Sequence, residues 1–232
     1  SLCFVNLLFQ NNAAVYPTDV GMDLSTKYPG IQLLNLAIPG ATSMTVINNE
    51  MSSIPQGAAS PTFVTILIGG NELITTCGNS PGVGSPCDGG IFGCTTAQGA
   101  TWASNFQARL ETQIVDVLKN TALYPRVQKI VIANIYDPTD GVGLAAYGWP
   151  AGEAVLAQYN TAIQNVVNDT GSTLVDDYTL FLGHGIQYNI ISNPYYDSAN
   201  PTFWYTPNGA SLPIHPNNTG YFELYKLFWP DF

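Results

Sequence analysis

The 232-residue chain is 46% hydrophobic and 12% aromatic, enough to bury one sizeable core and too apolar for a disordered segment. Only 9% of its residues are charged, and the net charge is −10. The six cations, Lys27, Arg109, Lys119, Arg126, Lys129 and Lys226, are dispersed. This excludes the basic stripe a nucleic acid requires and disfavours an anionic membrane surface.

In chain order, IQLLNLAI (31–38) and TFVTILIG (62–69) are short, continuous apolar runs that end in Pro-Gly and Gly-Gly. Such runs predict strands buried on both faces, as in a parallel sheet. Residues 72–97 form a long irregular stretch holding Cys77, Cys87 and Cys94. These have no metal-type partner residues, so a disulfide is expected there in preference to zinc, and the four cysteines allow three pairings. Trp102, Phe106, Leu110, Ile114 and Leu118 recur every four residues and predict a helix, with Arg109, Glu111 and Asp116 off the stripe. VQKIVIANI (127–135) predicts a third strand, Val155, Tyr159, Ile163 and Val166 a second helix, and STLVDDY (172–178) a fourth strand.

A second long loop, 181–214, carries Tyr188, Tyr195, Tyr196, Phe203, Trp204 and Tyr205. These rings either wall a pocket or fasten the loop to the body. Residues 217–229 predict a terminal helix through Tyr221, Leu224, Tyr225 and Phe228. Strands alternating with helices imply one layered α/β domain over 1–232, with crossover connections. No apolar run reaches the length of a membrane span. The cysteines, the scarcity of lysine and the abundance of Asn, Ser, Thr and Gly point to a secreted, extracellular protein. Asn168 and Asn217 match the short glycosylation pattern, which by itself is a weak signal.

Three positions could carry chemistry. Asn71, after the Gly-Gly that ends a strand, either donates its amide to an oxyanion or caps the following turn. The N–H of Gly40 either joins it or belongs to an ordinary strand-to-helix turn. His215 is held out of helix by Pro216 and is either an exposed base or a structural ring. With His184 and His215 the only histidines, a histidine-rich metal site is not expected. His184 itself reads as a loop residue.

Taken together, the strand–Gly40 turn, the IGGN run at Gly70 and Asn71, and the terminal His215-Pro216-Asn217-x-x-Gly220-Tyr221 resemble the SGNH, or GDSL-type, hydrolases in order and spacing along nearly the whole chain. The resemblance implies a flavodoxin-like, three-layer α/β/α sandwich with a mostly parallel central sheet. It also implies a serine nucleophile in Gly-Asp-Ser-Leu, a histidine base, and an oxyanion hole built from the Gly N–H and the Asn amide. Ser1-Leu2 stands 39 residues before Gly40, which makes Ser1 the candidate nucleophile.

The sequence departs from the family pattern in three places. The first strand and the Gly-Asp ahead of the serine are absent. They are expected to be encoded immediately upstream, as a separate or missing piece. Leu212 stands where the family has the aspartate that orients the histidine, so His215 acts in a dyad or takes Asp197 as its partner. Glu72 replaces the aspartate after the asparagine, a change expected to alter a turn contact.

The function these features imply is that of a secreted serine esterase acting on small-molecule, lipid or glycan esters, with no cofactor and no metal. The alternative is a catalytically weakened relative that binds carbohydrate or lipid through the aromatic loop. An amino-terminal-nucleophile amidase, with the free amine of Ser1 as base, lacks its expected layered β-sheet signature.

Overall fold

The computed structural model describes residues 4–76, 95–142, 152–199, 202–208 and 211–232. In chain order its elements begin with α1 (Phe4–Phe9), α2 (Leu24–Lys27), α3 (Ser43–Thr45), β1 (Thr62–Leu67), α4 (Gly70–Thr76), α5 (Thr96–Arg109) and α6 (Asp116–Lys119). There follow β2 (Val127–Ala133), α7 (Gly152–Thr170), β3 (Thr173–Val175), α8 (Asp177–Phe181), β4 (Tyr205–Asn208), β5 (Ser211–Pro216) and α9 (Asn218–Phe228). The chain divides into two compact units. One comprises Leu36–Ile135 and Gly141–Val175; the other comprises the residues up to Asn35, Tyr136–Asp140 and Asp176–Phe232.

The first unit holds a parallel sheet in the order β1-β2-β3, with Ile66 opposite Ile132 and Ile132 opposite Leu174. This is the α/β architecture with a mostly parallel sheet that the apolar runs predict. The central strand β2 is buried from Ile130 to Ala133. The predicted helical stripe also holds. Trp102, Phe106, Leu110, Ile114 and Leu118 are all buried, and the helix runs from α5 through a π-helical stretch, Leu110–Val115, into α6. On α7, Val155, Tyr159, Ile163 and Val166 face the core, and the Tyr159 ring lies 5.2 Å from that of Phe106. Each such side chain contributes about 1.5–3 kcal/mol by leaving water.

Residues 31–38 correct the sequence expectation. Predicted to be a strand buried on both faces, they form no strand, and Leu33, Leu34 and Ile38 are 38%, 54% and 42% exposed. Among the described residues β1 pairs with β2 alone, so no neighbouring strand takes up the backbone groups of this run. An apolar composition permits burial, but a strand exists only where another strand meets it.

In the second unit α1 and α9 pack together, with the Phe4 and Phe228 rings 4.9 Å apart. Tyr16 stacks on Phe222 at 3.8 Å, and the Tyr28 hydroxyl donates to the Phe232 carbonyl at 2.7 Å. The aromatic loop is organised around Asp140, a fully buried residue at φ 55°. Its carboxylate accepts the N–H groups of Gly183 (2.9 Å), Gly185 (2.8 Å) and Gln187 (2.7 Å). Phe181, Trp204 and Tyr205 are buried, so these rings fasten the loop. The expected disulfide falls at Cys77, Cys87 and Cys94, which lie outside the described residues. Among the described residues no helix is long and apolar enough to cross a membrane.

Candidate functional site

Ile38-Pro39-Gly40-Ala41 closes as a type II turn. The Ala41 N–H donates to the Ile38 carbonyl at 3.0 Å, Pro39 presets the first corner, and Gly40 takes φ +80°, which strains any other residue. The Gly40 N–H stands outside the turn's own hydrogen bond. A Cβ added at Gly40 would meet nothing within 4 Å, so the backbone conformation and not crowding is what calls for glycine here.

Asn71 lies inside α4, one residue past its start, and is half-buried. Gly69 takes the chain from β1 into this helix at φ +111°; a Cβ there would stand 2.8 Å from Ile135 Cδ1 and 3.1 Å from Phe106 Cζ. The Gly-Gly pair therefore answers a steric need at the end of the strand. It delivers an amide with two N–H donors beyond the carboxyl end of a parallel strand, where open α/β sheets hold their ligands.

The segment after the Gly40 turn and the end of α5 are both tied to one buried carboxylate of α4. Glu72 is 3% exposed, and its Oε1 accepts the Ser43 N–H at 3.1 Å, the Ser43 hydroxyl, and Arg109 Nη2 at 3.1 Å. Arg109 Nε also donates to Ser43 Oγ at 2.7 Å. Sequence reasoning missed Ser43 and Arg109. Arg109 falls off the apolar stripe of its helix and reads as a solvated position, and its partners lie 37 and 66 residues away. The one available signal was Glu72, the departure from the family pattern next to Asn71.

His215 is exposed and sits on β5 opposite Thr206 of β4, in the extended backbone that Pro216 dictates. The residues after it are structural. Asn217 caps α9 by accepting the Gly220 N–H at 3.0 Å, while its Nδ2 donates to the Phe203 carbonyl at 2.8 Å. Gly220 has no room for a side chain, since a Cβ would lie 2.8 Å from the Trp204 carbonyl oxygen.

Of the predicted residues, Gly40 and Asn71 belong to one unit and His215 to the other, and Ser1 lies outside the described residues. Asp197 accepts the N–H of Ala199 at 2.8 Å, closing a local turn, and Leu212 lies on β5. His184 stacks on Trp204 with ring centres 3.4 Å apart, and its Nδ1 lies 3.1 Å from the Thr202 carbonyl oxygen. Burial lowers the pKa of this imidazole, as expected of a packed loop residue.

Comparison with known proteins places these features in context. The family model described as GDSL-like Lipase/Acylhydrolase matches residues 10–221. Curated proteins give no match. Among solved structures, the acetylxylan esterase Axe2 of Geobacillus stearothermophilus aligns with a TM-score of 0.59 at 17% identity, over 100% of this chain and 81% of its own. The extracellular lipase of Streptomyces rimosus aligns with a TM-score of 0.58 at 19% identity, over 89% of this chain and 82% of its own.

Proposed function

The chain belongs to the GDSL-like Lipase/Acylhydrolase family, and on that premise we propose that it cleaves carboxylic esters as a serine esterase. Ser1 is the nucleophile and His215 its base. The serine hydroxyl attacks the ester carbonyl as the imidazole takes its proton, and the tetrahedral oxyanion is received by the Gly40 N–H and the Asn71 amide. Collapse of this intermediate expels the alcohol, which takes the proton back from the histidine. Water then releases the acid from the acyl-serine by the same route. Each oxyanion donor is worth about 2–4 kcal/mol of barrier. With Leu212 in place of the orienting aspartate, the serine and histidine act as a dyad.

The observation that supports this reading is that Ser43, three residues after Gly40, donates to the carboxylate of Glu72, the neighbour of Asn71 in α4. Acetyl esters of sugars are the first substrates to assay, because acetylxylan esterases share the fold. A fluorophosphonate probe tests the nucleophile directly. Stoichiometric labelling of Ser1, abolished in His215→Ala, is the expected result. No labelling of the intact native protein would favour a non-catalytic relative that binds carbohydrate or lipid.

A further inference from the structure

We propose that Ser43, Glu72 and Arg109 are positioning residues that together set the separation between the Gly40 N–H and the Asn71 amide. The catalytic consequence of this bracket rests on the esterase reading above; the bracket itself rests on geometry alone.

A carboxylate only accepts hydrogen bonds, a guanidinium only donates them, and a hydroxyl does both. Only one direction of the Ser43 hydroxyl suits all three groups. Ser43 donates its hydroxyl to Glu72 Oε1 and accepts from Arg109 Nε at 2.7 Å, while Arg109 Nη2 reaches the same Oε1 at 3.1 Å. The backbone is drawn in as well, since the Ser43 N–H donates to Oε1 at 3.1 Å.

Both ends of the bracket are stiff. Glu72 directly follows Asn71 in α4. Ser43 follows Gly40 by three residues, with Ala41 buried and Thr42 locked to Thr45 by a reciprocal capping box. The third corner hangs from α5, which Phe106 and the adjoining Leu110 anchor with no exposure at all. Ser43 is itself fully buried, so loss of Glu72 strands its donors, while loss of Arg109 takes the counter-charge from a buried carboxylate; in either case the Gly40 and Asn71 segments relax together. A shift of about 1 Å in a group that meets developing charge is enough to cost roughly 100-fold in rate.

Hydrogen exchange on the intact protein tests the bracket without relying on activity. In Arg109→Met, protection of residues 38–45 and 69–73 is expected to fall together while residues 127–133 keep theirs. A change in only one of the two segments, or in neither, overturns the proposal. Kinetics on an acetyl ester test the consequence: kcat is expected to fall roughly 10- to 100-fold in Arg109→Met and Glu72→Gln with KM within about twofold. In Arg109→Ala, millimolar guanidinium should restore part of the lost kcat. A loss confined to KM, or no loss, counts against the proposal. Should Arg109→Met fail to fold, Arg109→Lys keeps the charge with fewer directed donors, and the same pair of readouts applies. If the wild-type protein neither hydrolyses esters nor takes the probe at Ser1, the esterase reading falls, and the exchange result still decides the bracket.

Discussion

Asp177 is fully buried at the start of α8, and neither of its carboxyl oxygens meets a hydrogen-bond partner among the described residues. Burial, reinforced by the nearby charge of Asp176, pushes this carboxyl well above the ordinary carboxylate range. Asp140 is equally buried, but three backbone N–H donors oppose the upward push of desolvation. The sign of the Asp177 effect follows from linkage. The folded state holds this proton more tightly than the unfolded chain does, so stability is lost as pH rises from the ordinary carboxylate value through the raised one. Asp177→Asn is therefore expected to melt at a higher temperature than wild type at neutral pH. The difference should shrink as pH falls through about 4 and below, where the unfolded chain takes up the proton as well. Equal melting temperatures at neutral pH would show that the carboxyl finds a partner in solution.

At the scale of elements, the glycines after β1 show how steric need becomes geometry. Gly69→Ala combines a positive-φ penalty with contacts to Ile135 and Phe106 and is expected to cost about 2–4 kcal/mol in chemical denaturation. Gly57→Ala, at φ +67° with nothing within 4 Å, should cost only about 1–2 kcal/mol. Equal costs would mean that the space around Gly69 is not limiting. For the helices, element type was legible from periodicity alone. The stripe from Trp102 to Leu118 and that from Val155 to Val166 became the buried helical faces, because a period near 3.6 puts those positions on one side whatever they pack against. The run 31–38 was misread because strand formation depends on a neighbour supplied from elsewhere in the chain. The site was legible to the same degree. Gly40, Asn71 and His215 stood out by local turn chemistry, whereas Arg109 did not, since its partners are far away in sequence.

Over the whole molecule, the chain passes between its two units after Asn35, Ile135, Asp140 and Val175, so neither is a continuous stretch of sequence. Unfolding either one therefore pulls on segments of the other, and a single calorimetric transition is expected, with van't Hoff and calorimetric enthalpies in agreement. Two resolved transitions would mean that the units are energetically independent.

The primary sequence by itself determined what depends on neighbours in the chain: the parallel α/β pattern, the helical faces, the turn at Gly40, the extended backbone at His215, and the family these motifs mark. Only the tertiary structure decided which strands found partners and which loop rings were buried. It also decided that a serine, a glutamate and an arginine, separated by as many as 66 residues, would share one set of hydrogen bonds. Turn and helix preferences are set by steric and electrostatic forces acting within a few residues. Strand pairing and the satisfaction of a buried charge require groups that only the folded chain brings within 3 Å or so of one another.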